Sequence, residues 1–179
     1  MRIYLSIVLL AFLSNVTHST EFDDQLELAK QGDAKAQYKL GLMYDDGEGV
    51  QQDDKTAVKW YTKAAEQENA SAQTNLGLMY DNGRGVPEND KTAVAWYTKA
   101  AEQGNANAQS NLGFMYASGE GVAESDVNAY VWNSMAKVGG SRYAERRIDR
   151  LKKKMTREQI AKAQELAAKC YGSDYKDCN

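Results

Sequence analysis

Leu76–Asn105 reads LGLMYDNGRGVPENDKTAVAWYTKAAEQGN, and this stretch settles the architecture because the chain contains it almost three times. Gly41, Gly77 and Gly113 are spaced by 36 residues, as are Tyr44, Tyr80 and Tyr116, and Trp60, Trp96 and Trp132. Residues 34–69 and 70–105 match at 26 of 36 positions. A fixed period of this size marks an array in which each unit buries its apolar face against the next.

Each unit reads as two helices. In the first, about 34–44, Ala36, Gln37, Leu40, Met43 and Tyr44 recur at helical spacing. It ends at Gly47-x-Gly49-Val50, where glycine reaches the positive φ of a helix exit without steric cost. Asp54, Asp90 and Asp126 recur next, and the preceding Asp53, Asn89 and Ser125 are the expected N-caps. The second helix repeats Ala57, Trp60 and Ala64. Glycine inside a helix costs about 1 kcal/mol against alanine. Gly41 and its copies therefore imply the close approach of a neighbouring helix, expected around the Trp.

The combined pattern A-x-A-Q-x-x-L-G-x-M-Y-x-x-G-x-G-V-x-x-x-x-x-x-A-x-x-W-Y-x-K-A-A-E-Q-G resembles the Sel1-like repeat. It covers 32–140 in three units, about 34–69, 70–105 and 106–141. Tetratricopeptide repeats are nearest to it but are usually 34 residues long and lack the Gly-x-Gly loop. Gly32, Gly104 and Gly140 close the pattern, whereas Glu68 departs from it and predicts a differently built turn. The resemblance implies an all-α, right-handed superhelical solenoid of helix-turn-helix repeats that acts by holding other proteins.

Outward from the repeats, 1–20 reads as a signal peptide. Arg2 precedes an apolar run, Ile3 to Leu13, too short to span a bilayer, and small residues near Thr17, Ser19 and Thr20 offer a cleavage site. The mature domain is then 21–179, periplasmic or secreted, with no membrane insertion after cleavage. Phe22, Leu26 and Ala29 form one face of a leading helix that caps the first repeat. Two helices over 142–171 form the C-terminal cap. Tyr143, Ile148 and Leu151 are expected inward, with Arg146, Arg147, Arg150 and Lys152 to Lys154 outward. Thr156-x-x-Gln159 is a capping-box signature, and Ile160, Ala163, Ala167 and Cys170 supply the last helix's buried face. Cys170 and Cys178, the only cysteines, are expected to pair in an oxidising compartment. Charge is divided: 21–141 holds 10 basic and 19 acidic residues, and 142–169 holds 10 and 4.

The residues that carry chemistry are sparse. The one histidine, His18, lies in or beside the signal peptide, so the mature chain lacks the means for Ser–His and Cys–His pairs and for histidine metal sites. Ser134-x-x-Lys137 matches the S-x-x-K of penicillin-recognising enzymes, but S-D-N and K-T-G partners are missing. Some cysteine-rich Sel1-like proteins are associated with β-lactams; this chain has no cysteine pair in its repeats. Asp45-Asp46-Gly47-Glu48-Gly49 does not space its acids as an EF-hand does, and the Gly-x-Gly loops follow no strand. The basic cluster Arg146 to Arg157 reads as a solvated face, with an acidic partner as the alternative; a secreted protein meets little nucleic acid. No catalytic residue, metal or cofactor is assigned.

Comparison among the copies gives the binding surface. Positions 35, 38, 39 and 42 vary where the opposite stripe is fixed. In superhelical arrays the first helices line the concave side. Tyr38, Lys39 and Leu42, then Thr74, Asn75 and Leu78, then Ser110, Asn111 and Phe114, are therefore the predicted partner-binding residues. The function expected is a non-catalytic adaptor for another protein. Its alternatives are an immunity protein neutralising a secreted lipase-type effector and, from another class, a β-lactam-binding hydrolase. A terminus of Lys-Asp-Cys-Asn carries no endoplasmic-reticulum retrieval signal.

Overall fold

The computed structural model of the chain describes residues 21–178, all of whose regular elements are helical. The expected signal peptide and His18 lie outside them. Helix α1 (21–30) is followed by α2 (Ala34–Asp46), α3 (Asp54–Glu66), α4 (Ala70–Asp81) and α5 (Asp90–Ala101). Then come α6 (Ala106–Ser118), α7 (Asp126–Val138), α8 (Ala144–Lys154) and α9 (Arg157–Gly172). The chain forms two compact units divided after Asn69.

Each repeat is an antiparallel helix pair whose boundaries are fixed locally. Gly47 and Gly119 end α2 and α6 at φ 71° and 77°. The loop then folds back so that the amides of Asp53, Asn89 and Ser125 donate to the carbonyls of Tyr44, Tyr80 and Tyr116. Those three residues cap the second helices as expected. The recurrent Gln closes the first two pairs: Gln67 Nε2 donates to Gln37 Oε1 in unit 1, and Gln103 Nε2 to Gln73 Oε1 in unit 2, both at 2.7 Å. Gln37 and Gln109 also donate to the carbonyls of Ala29 and Ala101 in the preceding helix, both at 3.1 Å. A fixed, buried polar side chain is thus a clasp, its amide satisfied on both sides.

Two expectations about the repeat are corrected. The ring against the helical glycine belongs to tyrosine, not tryptophan. A Cβ at Gly41 would run into the Tyr61 ring, and one at Gly77 would sit 2.6 Å from Tyr97 Cε1. Trp60 and Trp96 are instead half-buried beneath Lys63 and Lys99, whose ammonium groups stand 4.5 and 4.4 Å from the ring centres. The turn at Glu68 is also not built differently. Glu68 adopts φ 62°, beside 98°, 81° and 86° at Gly32, Gly104 and Gly140. The amides of Asn69 and Asn105 donate alike to Ala64 and Ala100, at 3.1 Å. The clasped helix pair holds the left-handed turn even without glycine.

In unit 1, α1 covers the first repeat: Ala29 is buried with Ala36, Leu40 and Met43, and Phe22 and Leu26 lean on them. In unit 2, α8 and α9 close the third repeat. The capping box of Thr156 and Gln159 forms, and Ala163, Ala167 and Cys170 are buried. Cys170 and Cys178 are joined in a disulfide that packs with Trp132 and Met135. Such a bond suits an oxidising compartment. In α8, Ile148 and Leu151 are buried as expected, but Tyr143 is exposed, its ring met by the Arg146 guanidinium at 5.7 Å.

Candidate functional site

Of the predicted binding residues, Lys39, Leu78 and Phe114 are exposed, Tyr38, Leu42, Asn75 and Asn111 are half-buried, and Thr74 and Ser110 are buried. In unit 1, Lys39 is exposed and Leu42 half-buried, and both line a hollow of about 150 Å³ with Gln25 and Glu48. Tyr38 packs its ring 6.0 Å from that of Tyr61. In unit 2, Leu78 and Phe114 are 38% and 45% exposed. Thr74 and Ser110 are buried, unlike a free recognition stripe. Thr74 returns its hydroxyl to the Ala70 carbonyl at 2.8 Å, and Ser110 receives a guanidinium. Asn75 and Asn111 are half-buried, and Asn111 bonds the Tyr97 hydroxyl. The members of the stripe meet different neighbours, and its apolar position is exposed at Leu78 and Phe114 and half-buried at Leu42.

The guanidinium on Ser110 is that of Arg147, which the sequence assigns to solvent. It is half-buried: Nη1 donates to the Ser110 carbonyl and, at 2.8 Å, to its hydroxyl, and the group lies 5.6 Å from the Phe114 ring centre. Burial, with the charges of Arg146 and Arg150, pulls its pKa below the usual arginine value. No carboxylate among the described residues pairs with it.

Beside Phe114 lies a hollow of about 220 Å³. Gly113, Phe114, Ala117 and Leu151 give it apolar walls; Arg147, Arg150 and Lys154 stand around it; Asn133 completes it. Asn133 is 1% exposed. Its Nδ2 donates to the Ala129 carbonyl at 2.8 Å, and its Oδ1 accepts nothing. On Gly113 itself the Asn133 amide lies where the other repeats hold a tyrosine ring. In those repeats Tyr61 and Tyr97 occupy the Asn133 position, and their hydroxyls donate to Asp45 and Asp81, each at 3.1 Å. Ala117 stands where those aspartates do. Tyr97 is pushed far above the usual tyrosine pKa, first by burial and then by the Asp81 charge; burial also raises Asp81.

The remaining candidates have structural partners. Ser134 Oγ donates to the Tyr130 carbonyl at 2.8 Å. Lys137 pairs with Glu145 at 2.8 Å, which raises the lysine's pKa and lowers the carboxylate's. Among the described residues, no group of three or more His, Cys, Asp or Glu could hold a metal ion, and no helix is long and apolar enough to cross a membrane.

The family model described as Sel1 repeat matches residues 34–69, 70–105 and 106–137. The chain belongs to the Sel1 repeat family. A Sel1 repeat protein from Oxalobacter formigenes is 37% identical, with TM-score 0.66 over 72% of this chain and 97% of that one. A protective antigen present in uropathogenic Escherichia coli strains, also with the Sel1 repeat fold, is 31% identical. It aligns with TM-score 0.52 over 86% of this chain and 41% of its own. Cysteine-rich protein B of Helicobacter pylori shares the fold at 24% identity and TM-score 0.54, over 69% of this chain and 93% of that one. No curated protein sequence matches the chain. The fold class is therefore all-α, of the Sel1 solenoid type, and Sel1 repeats typically serve as protein-interaction scaffolds.

Proposed function

We propose that the chain is a non-catalytic scaffold that binds another protein through the outward face of its first helices, in the periplasm or outside the cell. The observation that carries this is the exposed apolar side chain at one fixed place in the second and third repeats, Leu78 and Phe114, with the half-buried Leu42 at the same place in the first. An exposed aromatic stacked by a half-buried arginine is the composition that concentrates binding energy at protein interfaces. The disulfide and the apolar N-terminal run support the compartment.

Affinity capture from envelope and secreted proteins tests the reading. A parallel bait carries Leu42→Glu, Leu78→Glu and Phe114→Glu. The expected result is a protein retained by the first bait and lost by the second at unchanged helicity. A retained lipase would narrow the role to neutralisation of an effector. Equal retention by both baits, or none by either, would sink the proposal.

A further inference from the structure

Helix α8 continues the repeat period beyond the third repeat. Ala144, Ile148 and Leu151 follow Ala108, Leu112 and Met115 by 36 residues and are buried as those are. By the same step the exposed position of Leu78 and Phe114 falls on Arg150, and that of Asn75 and Asn111 falls on Arg147. The varying stripe of the first helices therefore passes from apolar side chains to guanidinium groups. The two kinds meet where α6 adjoins α8: Phe114, Arg147 and Arg150 line one hollow together with Ala117 and Leu151.

The arginines at this junction are oriented but not neutralised. Both bonds from Arg147 to Ser110 come from Nη1, which leaves Nη2 to donate to a further acceptor. The charges that act on Arg147 are those of Arg146 and Arg150, both positive. Arg150 is exposed and pairs with no carboxylate among the described residues. Lys154 differs, being held by Asp126 at 2.7 Å. Like charges gathered beside apolar surface cost stability, and an anion set among them relieves that cost. Guanidinium groups suit a carboxylate, whose two oxygens match their paired donors. The apolar partners are Phe114 and, one repeat back, Leu78. A concave, apolar hollow takes a protruding side chain and not a flat lipid surface. We propose that this junction binds an acidic, leucine-bearing segment of a partner protein. A carboxylate of that segment meets Arg147 and Arg150, and its leucine side chain lies on Phe114 at the mouth of the hollow. Neither contact involves Gly113 or Asn133. The inference rests on the scaffold reading above and gives the partner its chemistry.

The test uses fluorescein-labelled Glu-Glu-Leu-Leu-Glu-Glu, amidated at its C-terminus, and the purified full-length chain, read by fluorescence anisotropy. Replacing the peptide's glutamates by glutamine should weaken binding about tenfold. Replacing its leucines by serine should also weaken it about tenfold. On the protein, Arg150→Glu should lose about tenfold in affinity at equal or higher Tm, because it removes a like-charge contact with Arg147. Lys162→Glu makes the same change of charge at an exposed place on α9. It should lose less than about twofold, since solvent and salt screen a distant surface charge. Equal losses in the two variants would show attraction by net charge alone and overturn the proposal. So would equal binding of the leucine and serine peptides, or no binding by the parent chain at millimolar peptide. If phosphatidylglycerol vesicles bind the parent chain but not Arg150→Glu, and neither takes the peptide, the junction serves a lipid surface and the proposal fails. If sedimentation shows the parent chain self-associating and Arg150→Glu monomeric, a second copy covers the junction and the proposal fails. Arg150→Glu leaves Leu78 and Phe114 in place. A captured protein that it retains, but that Leu78→Glu with Phe114→Glu loses, would keep the scaffold and remove the acidic site.

Discussion

The second and third repeats share a backbone and divide in what their side chains are asked to do. In the second, Trp96 lies half-buried beneath Lys99, and Tyr97 fills the space on Gly77 and bonds Asp81. In the third, Trp132 is fully buried, Met135 stands in the lysine's place and packs beside it, and the tyrosine–aspartate pair is gone. The reason is position. The third repeat is covered by α9 and its disulfide, an apolar surface that a lysine could not meet without losing its hydration. A repeat keeps its sequence where it meets a copy of itself and changes where it meets something else.

The largest expected effect comes from removing the indole from each of these two repeats. Trp132→Ala should cost about 3–5 kcal/mol, as for a large core aromatic. Trp96→Ala should cost less, because its ring is already partly exposed. Chemical denaturation of the two variants compares them directly; equal losses would contradict the assigned burial. Next comes the closing element itself. Cys170→Ser with Cys178→Ser opens the short loop and should lower stability by about 2–3 kcal/mol on the chain-entropy model. The hydrogen-exchange protection of α9 should fall before that of α4.

Smaller effects refine the contrast. Glu68 holds a left-handed turn that Gly104 holds without strain. Glu68→Gly should therefore raise stability by about 0.5–1 kcal/mol, the left-handed penalty less glycine's chain entropy. The matching change at Gly104, to Glu, should destabilise, since Tyr175 lies 3.0 Å from where its Cβ would be. The smallest effect concerns Asp81, whose carboxyl titrates above the usual aspartate value chiefly because it is buried. A raised carboxyl pKa means the folded state binds the proton more tightly than the unfolded one. The group thus favours folding at low pH, and that contribution is lost as pH rises through its folded pKa. Asp81→Asn, which can still accept from Tyr97, should raise Tm at neutral pH. Its advantage should shrink as the solution is acidified through the carboxylate range. No such pH dependence should follow Ala117→Asn.

Much of the fold is legible in the order of the residues. The 36-residue period, the Gly-x-Gly exits, the caps at Asp53, Asn89 and Ser125, and the capping box at Thr156 are local features, and each forms where its residues require. The site is legible only in part. Leu78 and Phe114 are exposed and Leu42 is half-buried, whereas Thr74 and Ser110 are buried, because variation among copies reports a change of neighbour as readily as freedom from one. Arg147 reads as a solvent-facing charge because a helix pattern cannot show that a ring and a carbonyl from a helix 37 residues earlier will receive it. The replacements at Asn133 and Ala117 are visible as drift; that both line one hollow is not.

The chain's own order of residues dictates the repeat, its helices, its turns and the residues that close them. All of these depend on interactions within a few residues or on a period that sequence displays directly. Tertiary packing alone settles that tyrosine rather than tryptophan lies on the helical glycine in the first two repeats, that the recurrent glutamine clasps one helix to another, and that Asn133 and Ala117 line one hollow in the third. Those are matters of which surfaces meet and how much volume lies between them, and close packing sets them only once every element is in place.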